Sequence, residues 1–156
     1  MNVLQFGEAE PGHDYRDRPA AFGVLEREGR LALARIEREG EAAYLDLPGG
    51  ALDPGETEAE ALVREFAEET GLNVRAGRLI TRASQFMLKT DGARVNNRSA
   101  HFTAELEREE PALKSEADHE LVWLPPLEAI ARLRHGSHAW AVACWLREGR
   151  CGEQRP

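Results

Sequence analysis

Only two cysteines occur in the chain, Cys144 and Cys151, and they form no CxxC pair. So sparse a set does not suggest a disulfide framework, and two free thiols are expected. No apolar run approaches the ~20 residues of a membrane-spanning helix, so no membrane association is expected. The opening stretch MNVLQFGEAEPGHDYRDRP has neither the basic start nor the long apolar core of a signal peptide, which leaves the cytoplasm as the expected location. Internal repeats and low-complexity tracts are absent. Bases are in the minority, 20 Lys and Arg against 28 Asp and Glu. That balance argues against long nucleic acid as a partner, because such a footprint needs clustered lysine and arginine.

What is present is 42 % apolar residues over 156 positions, enough for one domain with one real core. We expect a single domain over residues 1–156, with 1–17 as a loosely held lead-in. The net charge of −8 is unevenly placed. Between Asp53 and Thr70 stand seven acids (Asp53, Glu56, Glu58, Glu60, Glu65, Glu68, Glu69) and one base, Arg64. Most of the excess therefore sits in one short segment, which suits a hard cation.

AAFGVLER and RLALARIE are predicted strands joined around EGR, and AYLDL is a third. PGGALDPGE is a shaped loop. Thr57 then opens a helix. TEAE reads as a capping box with Thr57 as N-cap and Glu60 at the third helical position, and Gly71 as the left-handed closing residue. With 3.6 residues per turn, Ala59, Leu62, Val63, Phe66 and Thr70 share one stripe, and Glu65, Glu68 and Glu69 share the next. One side docks on a sheet and its neighbour presents carboxylates. GRLITRASQFMLK and NRSAHFTAEL form a longer strand pair around TDGAR. EREEPALKSEAD is a charged loop and HELVWL another strand. LEAIARLR is a short helix, and HAWAVACWLRE is a last helix capped by Ser137, stopped by Gly149 and largely buried. Strands with helices distributed among them imply an α/β or α+β sandwich.

Like charges at helical spacing repel, by about 0.2–0.5 kcal/mol per pair. Arg64 neutralises only part of the cluster, and a divalent cation is the remaining route. Mg²⁺ takes oxygen ligands and is held by one or two carboxylates with substrate phosphates. The glycines before the helix let a backbone carbonyl approach the same ion.

The stretch from Gly50 to Leu72 resembles the Nudix box of the MutT-like Nudix hydrolases, G-x5-E-x7-R-E-U-x-E-E-x-G-U with U aliphatic. Gly50, Glu56, Arg64, Glu65, Glu68, Glu69 and Gly71 fill every fixed position, and Phe66 stands where an aliphatic residue is usual. The resemblance implies a Nudix fold, an α/β/α sandwich with a mixed sheet. It implies that Glu65, Glu68 and Glu69, with the carbonyl of Gly49, bind Mg²⁺ or Mn²⁺, and that Glu56 and Arg64 pair to hold the loop on the helix. The reaction implied is hydrolysis of the diphosphate linkage of a nucleoside diphosphate joined to another group. Glu65 or Glu68 is the favoured base, with Arg64 beside them. Glu120 resembles a late glutamate that precedes a tryptophan in many members, with Asp118 and Glu116 as alternatives. Arg35 is a candidate phosphate contact. Phe86, Lys89, Arg94, Asn96 and Arg98 lie near a hairpin that could line the cleft. A small nucleotide substrate is implied, and a homodimer would be common for the family. The alternative is a non-hydrolytic Nudix-fold binding module, which usually carries a broken box.

Overall fold

The computed structural model describes residues 3–153, and among them lie nine strands and three α-helices. The larger sheet has the order β1-β7-β8-β2-β6: Leu4–Phe6, Leu72–Leu88, Arg94–Glu109, Arg16–Val24 and Gly49–Ala51. It is mixed. β1 runs parallel to β7 and β2 parallel to β8, whereas β7/β8 and β2/β6 are antiparallel. The smaller sheet centres on β4 (Arg30–Ile36), which pairs with β3 (Glu26–Arg27), β5 (Tyr44–Asp46) and β9 (His119–Leu124).

Side chains alternate across each strand, and the two faces carry different sizes. Ala20, Phe22 and Val24 of β2 and Leu31 and Leu33 of β4 meet Ala129 of α2 (Pro126–Arg132) and Ala141 and Val142 of α3 (Gly136–Glu153). On the other face, Ala21 and Ala32 meet Leu62 and Phe66 of α1 (Glu58–Thr70). Helices thus cover both sides, giving the expected α/β/α sandwich. The small residues let α1 lie close. A Cβ added to Gly23 would fall 2.7 Å from the ring of Phe66 and 3.0 Å from Leu62. Gly23 is therefore the space that the enlarged side chain at position 66 occupies. Phe66 is fully buried, which contributes about 1.5–3 kcal/mol relative to exposure.

The ends of α1 follow the local code. Thr57 accepts from Glu60 N–H, the Glu60 side chain accepts from Thr57 N–H, and Gly71 adopts φ 71° while donating to Ala67 O. Among the described residues no helix is long and apolar enough to cross a membrane.

Five expectations change. Leu4–Phe6, placed in the loose lead-in, pairs with Ala83–Gln85 and so joins the larger sheet. The turn at Glu28 and Gly29 joins β3 to β4, while β2 departs to the other sheet, so the first two predicted strands are not simple hairpin partners. β8 continues through Glu109 into the charged stretch, which also holds a short 3₁₀ turn at Pro111–Leu113. α3 runs past Gly149 to Glu153, because one interior glycine costs only about 1 kcal/mol in a helix. α3 is buried on one side only: Ala141 and Val142 are inside, Trp145 packs on the core edge, and Trp140 is exposed.

Candidate active site

Phe22 and Gly49 face each other in the β2/β6 ladder, between the hydrogen bonds Gly23 N–H to Pro48 O and Leu52 N–H to Pro19 O. In an antiparallel pair the residues between such bonds turn their polar groups outward. Gly49 N–H accordingly leaves the ladder and donates to Glu69 Oε2 at 3.3 Å, and its carbonyl leaves on the same edge. Ala51, at the equivalent position two residues on, gives its carbonyl to Arg64 Nη2 at 3.0 Å. Gly49 has φ 145°, and a Cβ there would strike Ala21 O at 2.1 Å. A Cβ at Gly50 would lie 2.7 Å from the carboxyl carbon of Glu65. Both glycines bring backbone against the glutamates of α1.

Arg64 is the hub beneath. Its Nε and Nη2 hold the two carboxylate oxygens of Glu56 at 2.6 and 2.9 Å. Its Nη1 reaches Glu65 at 2.8 Å and Glu68 at 3.3 Å. Glu56 also accepts from Asp53 N–H, which folds the loop back on itself. The Arg64 guanidinium and this N–H lower the Glu56 pKa from its ordinary value to about 2. The pairing of Glu56 with Arg64 is thus present, and Arg64 additionally orients two of the three box glutamates.

Burial raises the pKa of Glu69 well above the ordinary carboxylate range, and Glu65, Asp46 and Glu116 push the same way. Glu65 is also raised, by burial first and by Glu68 and Glu116 after, against the opposing pull of Arg64. Carboxylates crowded out of water, with a single arginine between them, are short of positive charge. An all-oxygen set from Glu65, Glu68, Glu69 and the Gly49 carbonyl fits a hard divalent cation.

The late loop comes to the same place by main-chain bonds. Ser115 and Glu116 both donate N–H to the carbonyl of Glu68, at 2.9 and 3.0 Å. Glu116, Asp118 and His119 stand close enough together to share an ion. His119 Nε2 is 3.7 Å from Glu69 Oε1.

Glu120 is not brought to the box. Along β9, Leu121 and Trp123 pack toward α1 whereas Val122 and Leu124 pack toward α2 and α3. Alternation puts His119 on the α1 face and Glu120 on the opposite one. There Glu120 stands across from Arg35 in the β4/β9 register, 3.6 Å from its Nη1. Arg35 also binds Glu37 at 2.7 Å, so it too points away from the glutamates. Glu116 and Asp118, the alternatives, are the residues beside the site, and His119 was missed. Its signal was the parity of HELVWL: the residue in step with the large apolar side chains faces the helix.

A cleft of about 400 Å³ opens beside Glu69, Gly49 and Gly50. Arg18, Arg38, Tyr44, Asn97 and Arg134 line it, with Met87 to Asp91 from the β7/β8 turn. Of the hairpin candidates, Lys89 lines this cleft. Asn96 instead bonds Gln5, Phe86 packs on Tyr15, and Arg94 binds Glu10. His135 and His138 also line it, and burial lowers the pKa of both.

A NUDIX domain model matches residues 14–146. The chain belongs to the Nudix family of diphosphate hydrolases. It is 28 % identical over 109 residues to an Escherichia coli (strain K12) protein named CTP pyrophosphohydrolase, covering 69 % of this chain and 75 % of that one. A Bacillus subtilis (strain 168) protein named putative 8-oxo-dGTP diphosphatase is 68 % identical over 53 residues, 34 % of each chain. Among solved structures, a NUDIX hydrolase from Nitrosomonas europaea superposes with a TM-score of 0.74 at 20 % identity, over 85 % of this chain and 90 % of its own. A MutT protein from Methanosarcina mazei Go1 gives 0.62 at 19 % identity, over 88 % and 99 %. At these identities the structural likeness establishes the Nudix fold.

Proposed function

We propose that the chain is a divalent-metal-dependent hydrolase that cleaves the diphosphate linkage of a small nucleoside diphosphate derivative, using Mg²⁺ or Mn²⁺. One observation supports this reading above others: buried Glu69 lines a cleft together with Arg18, Arg38 and Arg134, next to half-buried Glu65 and Glu68, which share the single Arg64. Glu65, Glu68, Glu69 and the Gly49 carbonyl would hold the ion. The ion would supply charge neutralisation on phosphate oxygens and a more acidic water.

The remaining work falls to the chain. Arg64 fixes Glu65 and Glu68 in place, anchored by Glu56. A carboxylate accepts a proton from attacking water best when its proton affinity is raised. Glu65 or Glu68, both held in place by Arg64, would take the base role. Gly49 N–H holds Glu69. Arginines across the cleft orient the charged substrate, since phosphoryl transfer depends on positioning and electrostatics. The same reading takes residues 1–156 as a single domain acting on a free nucleotide, in keeping with the net charge of −8.

The test is a screen of nucleoside diphosphate derivatives with Mg²⁺, reading products by mass. Release of a nucleoside monophosphate is expected, with loss on chelation and at least a hundredfold loss in Glu68→Gln or Glu69→Gln. Tight binding without turnover across the panel would replace this reading with a binding module.

A further inference from the structure

Among the described residues, every lysine and arginine lining the cleft has a carboxylate within 4 Å except one. Arg38 binds Asp118 at 2.7 Å, Arg134 binds Asp46 at 2.6 Å and Lys89 binds Asp91 at 3.3 Å. Arg18 has no such partner. Its Nη1 donates to Asn97 Oδ1 at 3.0 Å, which uses one of its five N–H groups. Asn97 faces Arg18 across the β2/β8 ladder and is itself buried. Its amide nitrogen contacts Met87 Sδ at 3.1 Å, which turns its oxygen toward the arginine.

Arg18 is only half exposed, and that burial works against its charge, with Glu65 the acidic group acting in its favour. A partly desolvated cation without a counter-charge is costly unless a ligand brings one. Arg18 lines the same cleft as Gly49, Gly50 and Glu69, so an anion in that cleft has the arginine in its lining. A planar guanidinium with adjacent N–H groups suits phosphate oxygens. Arg35, the arginine singled out by the sequence, is spent on Glu37 and Glu120 instead.

We propose that Arg18, oriented by Asn97, is the phosphate-binding arginine of this cleft and takes a non-bridging oxygen of the substrate diphosphate. The proposal rests on the hydrolase reading above, with Asn97 a positioning residue.

The test titrates inorganic pyrophosphate with Mg²⁺ into the full chain and into Arg18→Gln, Arg18→Lys and Arg35→Gln, by calorimetry. Arg18→Gln should weaken binding about tenfold to a hundredfold, as expected for losing charge-assisted hydrogen bonds. Arg18→Lys should recover part of the loss, and Arg35→Gln should bind within about twofold of the parent. Without ligand, Arg18→Gln should melt at the same temperature as the parent or higher, which a purely structural arginine would not allow. Equal pyrophosphate binding by Arg18→Gln, no binding by the parent, or a lower melting temperature without recovery by lysine would each overturn the assignment. If the parent turns over nucleotides while Arg18→Gln binds pyrophosphate normally, this assignment fails and the hydrolase reading stands. If Arg18-dependent binding is found with no turnover of any nucleotide, the hydrolase reading fails instead.

Discussion

Arg64 grips both oxygens of Glu56, at 2.6 and 2.9 Å, across eight positions of sequence that include the turn into α1. The same guanidinium carries Glu65 and Glu68, so one ion pair couples the shape of the loop to the placement of the acids.

Breaking that pair should cost stability and activity together. Glu56→Gln removes a charge-assisted pair that is mostly shielded from water, an expected loss of about 1–3 kcal/mol. The pH sign follows from the depressed carboxylate. Its stabilisation is present above about pH 4.5 and is lost as pH falls toward about 2. Denaturant melts of parent and variant should therefore differ at pH 7 and converge near pH 2.

Glu69→Gln should act in the opposite sense. The Glu69 pKa is raised, so its penalty is absent below about pH 4.5 and grows as pH rises toward the folded-state value. Without metal, the variant should melt above the parent at pH 8 and level with it near pH 4.5. Added Mg²⁺ should raise the melting temperature of the parent and leave the variant nearly unmoved. A more stable variant with activity down at least a hundredfold would be the expected exchange of stability for function.

Glu116 and Glu120 sit on different parts of the fold: Glu116 in the loop whose N–H bonds Glu68 O, Glu120 on the β9 face turned away from α1 and beside Arg35. Glu120→Gln should leave kcat/KM within about twofold, as for an exposed ion pair. Glu116→Gln, whose charge acts on both Glu65 and Glu69, should lower kcat by tenfold or more. Steady-state kinetics on the two variants side by side decides the matter. A tenfold loss in Glu120→Gln would contradict its placement on the β9 face away from α1.

Gly23 and Phe66 should behave as a coupled pair. Gly23→Ala places a methyl 2.7 Å from the ring, an overpacking cost of about 1–3 kcal/mol. Phe66→Leu alone leaves a cavity. The double variant should be more stable than the sum of the two predicts, by at least 0.5 kcal/mol on the scale of contacting residues. Simple additivity in a double-mutant cycle would show that the two do not share the space.

Short-range chemistry made much of this legible in the letters. The capping box at Thr57, the closing Gly71 and the strand HELVWL appear as spelled, because each is decided within a few residues. The fixed spacing from Gly50 to Gly71 likewise pointed to the Glu56–Arg64 pair. What the letters hid depends on partners far away. Leu4–Phe6 becomes a strand only because β7 offers an edge nearly eighty residues later. Arg18 reads as an ordinary charged position before a strand, and its lack of a carboxylate is visible only once the other cleft cations are seen to be matched. Glu120 reads as a site residue because Trp123 follows three positions later, whereas the pleat decides that His119 and not Glu120 looks toward the helix.

Glu68 takes part twice, with its carboxylate on Arg64 and with its main-chain oxygen on the two amides of the Ser115–Glu116 loop. The second role needs no particular side chain. Chemistry at position 68 can therefore be altered without casting the late loop adrift, so an inactive variant there would still carry an intact frame for trapping a bound nucleotide.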